Sequence, residues 1–199
     1  MGGGPQACAD RREEALDRAF YLTAIMAGLR HGELIALRWR DVDWMAGRVR
    51  VRQNWVLGEF DTPKSRRGSR SVPMADRVAG ELDRLYKHAR EPGDDDLVFP
   101  DPITGGPLDK AGNLRRYRKA LKAASLESRH NLHGLTQSFG TRMAAAGVPM
   151  RTLQEWMGHR DLSTTEPYAD YAPSLHEAAM IEAAWRPQAT TGRLHVQVP

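Results

Sequence analysis

Four stretches of the 199-residue chain pair reactive side chains with turn residues. The first is Gly28-Leu29-Arg30-His31-Gly32-Glu33-Leu34, where Arg30 leaves a helix end between two glycines. A guanidinium held there presents a planar fork of donors that matches phosphate oxygens two at a time. A surface arginine in a helix–helix turn is the commoner fate of such a residue. The second is Thr62-Pro63-Lys64-Ser65-Arg66-Arg67-Gly68, whose Lys64 can reach a phosphate or protonate a leaving oxygen, or simply be a solvated turn lysine. The third runs from Arg129 to Thr141 and holds His130 and His133 three residues apart. No cluster of Cys, Asp or Glu accompanies them, so a metal site is not expected. The fourth is Gly158-His159-Arg160-Asp161 followed by Ser163-Thr164-Thr165-Glu166-Pro167-Tyr168. Tyr168 there is either a packed aromatic with a satisfied hydroxyl or a nucleophile, and for an arbitrary tyrosine packing is the commoner role.

The elements that must carry these residues are mostly helical. Apolar residues at spacings of three and four predict a helix over Arg12–Leu29, with a shorter one over Glu33–Trp39. The strict alternation of Arg48-Val49-Arg50-Val51-Arg52 predicts a half-buried strand. Two further strands are expected at Trp55–Asp61 and Arg70–Pro73, joined by the Lys64 turn as a hairpin. Helices follow over Asp76–Ala89, Ala111–Ala124, Gln137–Ala146 and Met150–Met157, the last two closed by Gly147 and Gly158. Ser174 and Glu177 form a capping box for a last helix, Leu175–Trp185. The expected fold is therefore α+β, mostly α, with a small three-stranded antiparallel sheet. Residues 1–12 read as a flexible leader, 13–185 as one domain and 186–199 as a mobile tail.

Charge is unevenly spread. The chain carries 29 Lys and Arg against 25 Asp and Glu, a formal +4. Seven basic residues lie between Arg48 and Arg70, opposed by Glu59 and Asp61, and seven more between Lys110 and Arg129, opposed by Glu127. On the helix beginning near Ala111, Leu114, Tyr117 and Leu121 form an apolar stripe, with Arg115, Arg118, Lys119 and Lys122 on the other side. Such segregation either attracts polyanions or is a solvated charged face. A mean hydropathy of −0.57 and the lack of a long apolar run exclude a transmembrane helix. The single cysteine, Cys8, excludes a disulfide framework and points to a reducing, cytoplasmic setting.

Taken in this order, the four stretches resemble the catalytic domain of the tyrosine recombinases, the phage-type integrases, from about Ala19 to Trp185. Gly28 to Trp39 with Asp41-Val42-Asp43 resembles the family's first box, whose arginine falls on Arg30. Thr62-Pro63-Lys64-Ser65 resembles its sheet-turn lysine. Leu153-Gln154-Glu155-Trp156-Met157-Gly158-His159 resembles the box of the second histidine, and Tyr168 takes the nucleophile's place. The resemblance implies site-specific DNA recombination. Tyr168 attacks a scissile phosphate to form a 3′-phosphotyrosyl link and free a 5′-hydroxyl, and a partner strand's 5′-hydroxyl then reverses the step. Arg30, His133 and His159 would stabilise the phosphate, with Lys64 as general acid. No metal or other cofactor is implied, because the enzyme ester conserves the bond energy. The implied partner is double-stranded DNA, gripped also by Arg66, Arg67, Arg70 and the Arg115 stripe. Self-association on DNA would run through the C-terminal helix, with the protein in the cytoplasm and on the nucleoid.

Two positions depart from the family pattern. The third box is His-x-x-Arg, and with His133 as its histidine the arginine's place is held by Thr136. Arg129 and Arg142 are near but outside the box. Pro167, directly before Tyr168, is compatible with a helix only in its first turn. The helical core-binding domain that usually precedes this one in the family is not expected within this stretch, which reads either as a fragment of a longer protein or as a degraded or minimal member. An impaired recombinase is therefore expected, against a non-catalytic DNA-binding module of the same fold. A third alternative is a relaxing enzyme like the type IB topoisomerases.

Overall fold

The computed structural model describes residues 5–61, 69–89, 92–126 and 131–171. Helix α1 spans Pro5–Ala27, so residues 5–12, expected as a flexible leader, are helical. Helix α2, His31–Ile35, is shorter than expected. Beyond it Arg38 is extended and Trp39–Asp41 form a separate 3₁₀ turn, because Leu37 and Trp39 bond to the segment 96–98: Val98 N donates to Leu37 O at 2.9 Å and Trp39 N to Asp96 O at 3.1 Å. Five short strands follow: β1 Val42–Asp43, β2 Arg48–Val51, β3 Asn54–Val56, β4 Glu59–Asp61 and β5 Arg70–Pro73. Helices α3 Asp76–His88, α4 Lys110–Ala123, α5 Leu132–Ala145 and α6 Met150–Met157 come next, then 3₁₀ turns at Leu162–Thr164 and Glu166–Tyr171. Among the described residues no helix is long and apolar enough to cross a membrane.

The three-stranded antiparallel sheet has the order β1-β2-β5, with Val49 opposite both Val42 and Val72. Its third member is thus β1, not the Trp55–Asp61 segment expected as one strand. That segment folds on itself as the separate β3–β4 hairpin. Leu57 and Gly58 at its tip both have positive φ, 52° and 87°, the backbone a tight two-residue hairpin turn requires. Trp55 and Phe60 close it at 4.6 Å between ring centroids. The expected pairing of Trp55–Asp61 with Arg70–Pro73 across the Lys64 turn does not occur in the described strands.

Two apolar clusters hold these elements. The larger packs Ala19, Phe20, Ala24 and Ala27 of α1 against Leu34 and Ile35, the sheet valines Val49, Val51 and Val72, and Val78 and Leu82 of α3. The smaller joins Phe139 and Ala144 of α5 to Leu153 and Met157 of α6, and Trp156 touches both clusters. The chain leaves α1 through Gly28, in the left-handed region at φ +64°, with the Phe139 ring filling the space a Cβ would need. Helix α5 starts at Leu132, five residues earlier than expected, because the Asn131 side chain accepts from Gly134 N at 2.7 Å and caps it. His133 and Thr136 therefore stand on a helix. In α4 Tyr117 and Leu121 are buried and Leu114 half-buried, and Arg115, Arg118, Lys119 and Lys122 are exposed.

His31 fastens α2 to its neighbours. Its ring meets Phe20 edge-on at 5.8 Å and its Nε2 lies 3.1 Å from Asn113 Nδ2 at the start of α4. Burial, with a smaller push from Lys110, lowers its pKa from 6.5 to about 4. Between those values the unfolded chain takes a proton that the folded chain refuses, so stability must fall as pH drops through that window. His31→Gln is expected to lose less unfolding free energy than the parent between pH 6.5 and 4, as read from urea unfolding at each pH. Equal slopes for the two proteins would overturn this account.

Candidate active site

The site grows from one carboxylate. Arg30 is extended, φ −69° and ψ 153°, and its N–H donates to Glu33 Oε2 at 2.7 Å, closing the first turn of α2. Glu33 is 5% exposed. Its two oxygens also accept from Arg70 Nη1 and Nη2 at 2.7 and 2.8 Å, a two-pronged ion pair with a side chain that is itself 7% exposed. Arg70 Nε donates to Trp156 O at 2.6 Å in the last turn of α6. That helix ends on Gly158 at φ +66°, where a side chain would strike the Arg70 guanidinium. Arg30 Nη2 donates to Gly158 O at 3.2 Å. The start of α2, the strand β5 and the end of α6 are thus tied at one point.

His159 and Tyr168 follow from that point. His159 Nδ1 lies 2.9 Å from the hydroxyl of Thr165, and its ring runs nearly parallel to that of Tyr168, 14° apart with centroids at 6.4 Å. Tyr168 sits in the 3₁₀ turn Glu166–Tyr171, with Pro167 second in that turn, where its missing N–H costs no bond. The Tyr168 N–H donates to Thr165 O at 3.0 Å. Its ring lies on Gly140 of α5, where a Cβ would stand 2.7 Å from Cε1. Burial, then Arg30 and Arg70, lower the His159 pKa, with Glu33 opposing and His133 adding a small push. Burial raises the Tyr168 pKa. At neutral pH the site holds a neutral imidazole beside a protonated phenol.

The structure therefore brings Arg30, His159 and Tyr168 together, with exposed His133 close enough to act on His159. Thr136 is 4% exposed and its hydroxyl donates to Leu29 O at 3.1 Å, so it holds the residue before Arg30. Arg70, expected among the phosphate contacts, is buried and consumed by Glu33. Its place among the basic residues around the Lys64 turn suggested a solvent-facing cation, but three long-range bonds turn it inward. Arg142 is exposed and lines an apolar groove with Met143 and Trp156 rather than the site. Lys64, Arg66, Arg67, Arg129, His130 and the expected helix 175–185 lie outside the described residues. A cleft of about 330 Å³ opens beside His159 and Gly158, lined also by Arg48, Ser71 and Arg151. Sequence reasoning passed over Glu33, Gly140 and Thr165. Only Glu33 carried a signal, being an acid three residues after the helix-starting Arg30.

Residues 6–174 match the phage integrase family, and the chain belongs to that family. Tyrosine recombinase XerC of Halalkalibacterium halodurans is 31% identical over 163 residues, covering 76% of this chain and 49% of that protein. Tyrosine recombinase XerC of Xanthomonas axonopodis pv. citri is 31% identical over 173 residues, covering 87% and 51%. Among solved structures, XerA recombinase superposes with a TM-score of 0.62 at 25% identity, over 90% of this chain and 61% of that one. The Tn1549 transposon integrase, in complex with a circular intermediate DNA, gives a TM-score of 0.66 at 24% identity, over 86% and 59%. The mostly helical fold with its small antiparallel sheet is thus the fold of tyrosine recombinases. The chain spans about half the length of the curated relatives it matches.

Breaking the Arg70–Glu33 pair from one side leaves a buried carboxylate with its strongest partner gone. Arg70→Ala is expected to cost about 3–5 kcal/mol in urea unfolding. The double variant Arg70→Met with Glu33→Leu, which removes both charges, should recover much of that loss. A single variant within about 1 kcal/mol of the parent, the range of exposed pairs, would show that the pair is not buried in solution.

Proposed function

We propose that this chain is the DNA-cleaving and rejoining domain of a site-specific recombinase. The observation that carries the reading is the meeting of Arg30, His159 and Tyr168, 138 positions apart at the extremes, at one exposed cationic point. Double-stranded DNA is the substrate. The Tyr168 hydroxyl oxygen attacks the scissile phosphorus and its proton passes to water. The bond from phosphorus to the 5′ oxygen breaks, and Lys64 supplies the proton that oxygen takes. Arg30 and His159 donate to the non-bridging oxygens, where charge builds. The reverse attack by a partner strand's 5′-hydroxyl completes the exchange, so no cofactor is consumed. His133, beside His159, serves the same phosphate, and Arg66, Arg67 and the exposed α4 stripe Arg115, Arg118, Lys119 and Lys122 serve the surrounding DNA backbone. Self-association on DNA through the C-terminal segment belongs to the same reading. The apolar groove lined by Met26, Phe139, Met143 and Trp156 supports it.

One observation favours the second reading, a DNA-binding module without turnover. Where the family pattern has a cation, Thr136 spends its hydroxyl on the Leu29 carbonyl. Loss of one fixed donor to a developing oxyanion typically costs about a hundredfold or more in rate.

Single-turnover cleavage of a nicked duplex, which traps the covalent complex, separates the readings. Slow trapping is expected for the parent and none for Tyr168→Phe. Thr136→Arg is expected to speed trapping about tenfold or more. Duplex binding without trapping by either parent or Thr136→Arg would favour the module. In the same assay format, duplex affinity should fall with salt at a log–log slope of about −0.9 per phosphate neutralised. Affinity independent of salt would overturn the assignment of the exposed cations.

A further inference from the structure

We infer that Thr165 is a positioning residue that sets the tautomer and direction of the His159 ring while carrying the turn that presents Tyr168. The inference rests on the proposed cleavage chemistry and adds a residue to it.

Thr165 is fully buried, and its three polar groups are all engaged. Its N–H donates to Leu162 O at 2.7 Å, its carbonyl accepts from Tyr168 N at 3.0 Å, and its hydroxyl lies 2.9 Å from His159 Nδ1. A buried hydroxyl hydrogen needs an acceptor, since leaving it without one costs about 1–3 kcal/mol. Among the described residues the hydroxyl's hydrogen-bond partner is His159 Nδ1, whose lone pair is the acceptor in reach. A ring that accepts at Nδ1 and is neutral carries its one proton on Nε2, at the far side of the ring. The surroundings favour the neutral ring: Arg30, Arg70 and His133 face it, and Glu33 is the acid that opposes them. Nε2–H is then a fixed donor, the form a phosphate oxygen requires. The opposite tautomer would present a lone pair to an anion.

The same residue couples two parts of the site. Its side chain holds the histidine and its carbonyl holds the tyrosine turn, so a ring held at 14° to Tyr168 cannot swing without disturbing the nucleophile's anchor.

The test uses the full chain with Thr165→Val, which keeps the shape and removes the hydroxyl, and Thr165→Ser, which restores it. The first readout needs no DNA: ring ¹⁵N shifts of His159, assigned by comparison with His159→Gln. The parent is expected to show protonated Nε2, Thr165→Val a mixture including protonated Nδ1, and Thr165→Ser the parental pattern. The second readout is single-turnover cleavage of the nicked duplex, expected to fall about tenfold or more in Thr165→Val, with unchanged duplex affinity, and to recover in Thr165→Ser. Should the valine variant unfold, Thr165→Ala repeats both arms. An Nε2–H ring in the hydroxyl-free variant, or a serine variant that folds without restoring the ring pattern, overturns the inference. If the parent does not cleave DNA, the proposed activity fails, and the ring spectrum decides the role of Thr165 by itself.

Discussion

The arrangement at the site depends on burying the Glu33 carboxylate between two arginines. A lone carboxylate at 5% exposure would be driven to neutrality by its lost hydration. Here it accepts from Arg30 N and from both ends of the Arg70 guanidinium. Those bonds fix three separate pieces of chain. The backbone of Arg30 is locked into the turn that begins α2, β5 is drawn toward it, and Arg70 reaches on to the Trp156 carbonyl. The charges also partition usefully. Arg70 is neutralised by the carboxylate and buried, whereas Arg30 keeps a guanidinium that is 44% exposed and only weakly paired, at 3.5 Å. One arginine builds the site and the other stays available to an anion.

Thr136 extends the same logic by other means. An arginine at that position would add a cation to the pocket, and the threonine adds none. It instead bonds the carbonyl directly before Arg30, reaching from the middle of α5 to the α1–α2 connection. The segment from Gly28 to Arg30 is consequently held from two sides, by the Thr136 hydroxyl and by the Phe139 ring packed against Gly28. The site has exchanged charge for placement.

The helices were legible from apolar spacing, and the positions of Arg30, His159 and Tyr168 from turn punctuation and the box patterns, because those signals are local. The β3–β4 hairpin was not. Val56 and Phe60 keep a strand-like character, and nothing in Leu57-Gly58 beyond one glycine announces that both residues take positive φ. The early end of α2 was equally hidden, since it is set by bonds to Asp96 and Val98 nearly sixty residues away. The inward turn of Arg70 depends on Glu33 and Trp156, which no alternation pattern connects to it. Gly140 reads in sequence as a small residue in a helix. Only the Tyr168 ring lying on it gives it a purpose.

The setting of Tyr168 follows from the weakness of its backbone. Pro167 and the 3₁₀ geometry of Glu166–Tyr171 leave that segment with poorer hydrogen bonding than an α-helix of the same length would have. Its position is therefore determined chiefly by side chains, and two contacts carry the load: the Tyr168 ring on Gly140 and the Thr165 hydroxyl on His159. The first seats the ring against the smaller apolar core of α5 and α6, and the second is to the site itself. A shift of His159 is for that reason a shift of Tyr168 as well.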